Sequence, residues 1–208
     1  MNTTSSFLKI AFPKRIWNIQ TDQKEIYLTF DDGPTPEITD WTLKQLKKHQ
    51  AKATFFCIGK NVIQYPEIFK RCLNEGHTIG NHLYEHENGW KTSTTDYINS
   101  VKKTNKLFLK YDVKTNLLRP PYGRISQQQA IQLTDNDYRL IMWDVLSKDY
   151  DKNSTPEKCL NNSVKDLQKG SIVVFHDSIK ASTNMQYALP KLLEQFTKEG
   201  FTFKALPQ

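Results

Sequence analysis

Asp31-Asp32, His82, His86, Arg119, Asp144, Asp149 and His176-Asp177 are the residues of this chain whose types and spacing could do chemistry. A His82-x-x-x-His86 spacing puts two imidazoles on one side of a metal if the turn between them is helical. With one carboxylate they would form a two-His, one-carboxylate set, which leaves coordination positions open to water and substrate. Such a pair often arises by chance, but Gly76 and Gly80 before it and a strand-end aspartate strengthen the reading. Asp31-Asp32-Gly33-Pro34 also suits an Asx-turn or a helix N-cap. Two neighbouring carboxylates that end a buried strand nevertheless repel each other unless a cation or a donor compensates. A metal on one and Arg119 near the other would resolve that conflict. His176 at a strand end is ordinarily structural. A nearby acid such as Asp149 would orient its ring and raise its pKa, so that it donates a proton near neutrality.

The elements that must position these groups are legible as alternation. Apolar, β-rich runs at 24–30, 53–58, 77–81, 117–119, 138–143, 171–175 and 201–206 predict strands. Between them, helical periodicity predicts helices over 36–49, 61–75, 93–111, 127–136, from Thr155-Pro156 to Gly170, and 185–199. Pro36 suits a first helical turn, Thr155-Pro156 a cap followed by proline, and Gly76 a C-cap. Strands alternating with helices imply a parallel sheet covered by helices. Periodicity alone leaves open whether that sheet closes into a barrel. In either case functional groups belong just past the C-terminal strand ends. Five predicted strands do deliver Asp, His, Arg, Asp and His there.

Composition narrows the class. A chain of 208 residues with 38% hydrophobic and 25% charged residues fits one globular domain. We divide it into an N-terminal extension, 1–23, and a catalytic domain, 24–208. The net charge of +7 and pI near 9.2 favour acidic partners in principle. The lysines are scattered, however, and Lys44, Lys47, Lys48, Lys102, Lys103 and Lys106 fall on predicted amphipathic helices, where outward charge is ordinary. No basic cluster is interleaved with aromatics as single-strand binding requires, so nucleic acid is not an expected partner. Three cysteines without paired spacing (Cys57, Cys72, Cys159) argue against a disulfide framework and for buried free thiols. Residues 1–15 contain neither a secretory apolar region nor a membrane span. As written the chain reads as cytoplasmic, although a chain whose leader had been removed would read the same way.

Thr-Phe-Asp-Asp-Gly-Pro (29–34), His82-x-x-x-His86, Arg-Pro-Pro-Tyr-Gly (119–123), the 143–150 segment and Val-Val-Phe-His (173–176) occur in the order and spacing of the polysaccharide deacetylases. Over about residues 24–206 the chain resembles carbohydrate esterase family 4, including chitooligosaccharide deacetylase-like members. The resemblance implies a distorted (β/α)7 barrel in a monomer. It also implies hydrolysis of N-acetyl or O-acetyl groups on a polymer such as peptidoglycan, chitin-type oligosaccharide or acetylated xylan. It further implies a divalent metal, usually Zn2+ and sometimes Co2+ or Ni2+, held by Asp32, His82 and His86. Asp31 would be the general base, held by Arg119. The Tyr122 amide would be an oxyanion donor, and His176, tuned by Asp149, the general acid. Such substrates usually lie outside the cytoplasm. The chain departs from the family at Leu146, where many members carry Asp, at Tyr150 in place of Trp, and at Val174 in place of a pocket leucine; these changes bear on substrate preference. Exposed Trp90 and Tyr84 are candidates for sugar stacking. The rival readings are a small-molecule amidase on the same barrel and a carbohydrate-binding module without activity.

Overall fold

The computed structural model describes residues 6–208. In chain order the elements are α1 (Ser6–Ala11), β1 (Arg15–Ile16), β2 (Glu25–Asp31), α2 (Ile38–Lys48), β3 (Thr54–Cys57), α3 (Gly59–Gln64) and α4 (Pro66–Asn74). They continue as β4 (Thr78–Asn81), α5 (Thr94–Phe108), β5 (Leu117–Leu118), α6 (Gln127–Thr134), β6 (Arg139–Ile141) and β7 (Val145–Leu146). The last four are α7 (Pro156–Val164), β8 (Ile172–His176), α8 (Ser182–Lys198) and β9 (Thr202–Lys204).

All strand pairings among these elements are parallel, in the order β1-β6-β5-β4-β3-β2-β8-β7, with β9 also on β2. The sheet curls into a distorted (β/α)7 barrel left open, since β1 and β7 are its unpaired ends among the described residues. Each predicted strand is present. Two further strands, β1 and β7, have only two residues each and so carry no period to read. The predicted helix 61–75 is two helices, because Pro66 occupies the first position of α4 and Tyr65 leaves helical geometry to accommodate it.

β2 and β8 are apolar on both faces, as strands covered on both sides must be. Phe30 of β2 stacks between Phe55 of β3 and Phe175 of β8, with centroids 5.1 and 6.2 Å away. These rings lock the three strands whose ends carry the site, each burial contributing about 1.5–3 kcal/mol. α2 and α5 put Leu43, Leu46, Tyr97 and Val101 inward and the predicted lysines outward. Cys57, Cys72 and Cys159 are free and buried. No described helix is long and apolar enough to cross a membrane.

Candidate active site

At the C-terminal end of β2, Asp31 and Asp32 are assigned opposite surroundings by one change of backbone. Asp31 ends the strand in register with His176 of β8, and is 3% exposed. Its Oδ1 accepts from Arg119 Nη1 at 2.8 Å. Arg119 is itself fully buried; it also donates to Thr29 Oγ1 and to the carbonyls of Ile141 and Met142, and lies over the Phe56 ring. A guanidinium with its donors so engaged cannot swing away, so it fixes the carboxylate.

Asp32 turns left-handed, φ 80°, a conformation that aspartate tolerates better than most residues. Asn61 Nδ2 donates to its carbonyl at 2.7 Å and holds the turn. Its Oδ1 is buried, lacks a hydrogen-bond partner, and lies 3.7 Å from His82 Nε2 and 3.2 Å from His86 Nε2. The three ligand atoms lie within 4.8 Å of one another. A buried carboxylate oxygen gathered this closely with two imidazole nitrogens is an arrangement that a cation can satisfy. Burial alone would raise the Asp32 pKa, but His86, His176 and His82 outweigh it and hold the carboxyl below its usual range.

His82 Nδ1 lies 2.7 Å from the Arg119 carbonyl. Burial lowers the His82 pKa to about 4, so the ring is neutral at pH 7. A neutral ring can donate Nδ1–H to that carbonyl and leave the Nε2 lone pair for a metal. The turn from His82 to His86 is not helical, contrary to the condition placed on the spacing. Leu83 and His86 adopt left-handed φ of 64° and 63°, and this irregular loop brings the ring centroids to 5.0 Å.

On the other side, His176 Nδ1 lies 2.7 Å from Asp149 Oδ1, and its backbone N–H donates to Oδ2 of the same carboxylate. Desolvation alone would depress the imidazolium; Asp149 overrides it, with help from Asp32 and Asp31, and raises the pKa to about 9. His176 is therefore a charged donor at neutral pH. Tyr122, left-handed at φ 60°, meets His86 edge-on at the rim. The cavity holding these groups has a volume of about 460 Å3. Leu146, Tyr150 and Val174, the three departures, all line it. Asp144 does not join them; it accepts from Ile172 N–H and Ser171 Oγ and ties β8 to the chain before β7. Tyr84 lies outside the cavity, beneath Lys103 and against Gly59.

Asp177, named in the sequence only as a neighbour of His176, proves to hold the aspartate loop. It is buried, accepts from Gly33 N–H at 3.1 Å, and is paired with Thr39 at the start of α2. A Cβ at Gly33 would overlap the Asp177 carboxylate. The signal available in sequence was the glycine after the aspartates, but its partner lies 144 residues away.

A parallel curled sheet with Asp, His and His converging at its C-terminal rim is the architecture of a known family. The chain belongs to the polysaccharide deacetylases, whose family model matches residues 18–141. Among curated relatives it is 35% identical over 191 residues to a peptidoglycan-N-acetylglucosamine deacetylase of Bacillus cereus, covering 89% of this chain and 68% of that one. It is 32% identical to the peptidoglycan-N-acetylmuramic acid deacetylase PdaA of Bacillus subtilis, covering 89% of this chain and 71% of that one. The crystal structure of the peptidoglycan N-acetylglucosamine deacetylase Bc1960 with a hydroxamate-bearing benzamide superposes with a TM-score of 0.90 at 32% identity. That match covers 98% of this chain and 96% of the other.

Proposed function

We propose that this protein is a divalent-metal-dependent deacetylase that hydrolyses N-acetyl groups on amino sugars of peptidoglycan. The observation that carries the reading is the convergence of Asp32, His82 and His86 between two preset proton-handling pairs, Asp31–Arg119 and His176–Asp149. The relatives' peptidoglycan substrates support the polymer class. Two imidazoles and a carboxylate suit Zn2+ best, with Co2+ and Ni2+ as alternatives. Such an ion, when bound, supplies Lewis acidity toward the acetyl carbonyl and toward water.

The remaining steps belong to the chain. Asp31, oriented by Arg119, accepts the proton of the attacking water. The Tyr122 amide donates to the oxyanion that forms on the acetyl oxygen; losing one such donor typically costs about 10²–10³-fold in rate. His176, held protonated by Asp149, delivers its proton to the departing amine nitrogen. An amine leaves poorly without that proton, so an amide substrate makes His176 indispensable.

Acetate release from a chitin-type oligosaccharide and from peptidoglycan fragments, measured with metal content before and after chelation, tests the reading. Activity should vanish on stripping and return with Zn2+. Undiminished acetate release from protein shown to be metal-free would overturn it.

A further inference from the structure

The candidate active site does not end at its metal-facing wall. Tyr122, Gly123, Arg124 and Trp143 line both its cavity and a second groove of about 550 Å3, so the two are continuous. That volume lies within the range of small-molecule sites, ~300–1,000 Å3. Three of the chain's four tryptophans, Trp17, Trp90 and Trp143, wall this groove, and Trp90 is 67% exposed. Trp17 is buried and forms the floor, whereas the flat ring of Trp90 on the open surface suits the face of a sugar.

The groove's charge is one-sided. Arg15 and Arg124 line it, and among the described residues no Asp or Glu does. Arg124 lies between rings, 4.9 Å from Trp90 and 6.0 Å from Tyr122, and Arg15 is half-buried with its guanidinium 4.0 Å over Phe12. Among the described residues neither arginine forms an ion pair. Stacking fixes each guanidinium in plane and leaves its edge donors free, which is the presentation that matches a carboxylate. Lys180, over Tyr150 at 5.4 Å on the His176 side, adds positive potential to the same cleft.

We propose that this groove is a subsite for a carboxylate-bearing sugar adjoining the one that loses its acetyl group, with Arg124 and Arg15 as its specificity determinants. The inference rests on the amino-sugar deacetylase reading and narrows it. The substrate is an acidic glycan, and a neutral chitin-type chain is the poorer ligand. The carboxylate can belong to a lactyl ether on the sugar or to a peptide attached there; the chemistry recognised is shared.

Calorimetric titration of the zinc-loaded protein at low and high salt separates these sources, using four tetrasaccharides. They are chitotetraose, an alternating N-acetylglucosamine–N-acetylmuramic acid chain, its lactyl methyl ester, and the same chain with each lactyl group amidated by a short peptide. The free acid should bind about tenfold more tightly than its ester, as hydrogen bonds to charged groups warrant. The gain should shrink with salt. Arg124→Gln, and separately Arg15→Gln, should reduce the acid-to-ester ratio toward one, while Arg124→Lys should retain part of it. An advantage shown only by the peptide-bearing chain would place the carboxylate on the peptide. Equal affinity for the ester and both carboxylate-bearing chains, or a preference unchanged in both Arg→Gln variants, would overturn the inference. Because binding is the readout, the ratio decides it even if no acetate is released; that second result would sink the deacetylase reading alone.

Discussion

The inner wall of the cleft and its outer groove handle charge in opposite ways. Inside, Asp31 is held by Arg119, and His176 by Asp149, all four with side chains no more than 14% exposed. The conspicuous orphan there is Asp32 Oδ1, which faces the two imidazoles. Outside, Arg15 and Arg124 carry full charges against aromatic rings with no described carboxylate beside them. Fixed partners inside set protonation states and positions. Unpaired cations outside leave their donors for a ligand. The lesson is that a missing partner in a polar wall marks the place of something the chain is built to receive: a cation inside, an anion outside.

The comparison breaks most readily at the inner wall. Asp31→Asn is expected to keep the metal and lower kcat by about 10²–10⁴-fold, the usual weight of a positioned proton acceptor. His82→Ala should lose metal and turnover together. Metal analysis beside an acetate-release assay distinguishes the two, and full metal occupancy in His82→Ala would remove it from the ligand set. Arg119→Met should destabilise the fold by about 3–5 kcal/mol, because it leaves Asp31 buried without its partner. Denaturant unfolding reads this directly; a variant as stable as wild type would show that Arg119 does not hold Asp31 in place.

A subtler break lies in the His176–Asp149 pair. His176 has its pKa raised to about 9, so the proton it donates is present at neutral pH and is lost as pH rises through that value. The stability the pair contributes follows the same sign: fully present below the unfolded value near 6.5, and lost as pH climbs through about 9. Asp149→Asn should therefore move the basic limb of kcat/KM down by about 1–3 units, with little change far below it. An unmoved basic limb would assign that limb to another group. Gly33→Ala is a smaller, structural probe. It forces Asp177 aside and should loosen the Asp32 loop, lowering metal affinity more than the cooperative unfolding free energy.

Much of this was legible in sequence for a physical reason: buried parallel strands are continuous apolar runs, and each run ends at the residue that carries function. Asp31, Arg119 and His176 could be placed on one rim because their strands were readable. Features set by tertiary contact were not. β1 and β7 are two residues long and owe their existence to neighbours. Left-handed Leu83 and His86 give no compositional signal, so the spacing could be read only under the condition of a helical turn, and the irregular loop was not visible. Asp177 reads as a neighbour of His176 until α2 and the Gly33 amide are packed against it. Tyr84 and Trp90 looked alike as aromatics near the histidines, and only packing separates the one under Lys103 from the one in the groove.

Trp90 therefore gives the mildest and sharpest test of the inner–outer contrast. It is two-thirds exposed and touches neither the metal-facing atoms nor the proton-handling pairs. Trp90→Ala should leave stability within about 0.5 kcal/mol of wild type, as surface substitutions usually do. It should also leave metal content and the pH profile intact. Its effect should fall on KM for long glycans, by an estimated few-fold from lost ring stacking and a less ordered Arg124, with kcat on a short substrate little changed. A fall in kcat equal to that of Asp31→Asn would dissolve the distinction, because it would make the outer wall part of the chemistry rather than of recognition.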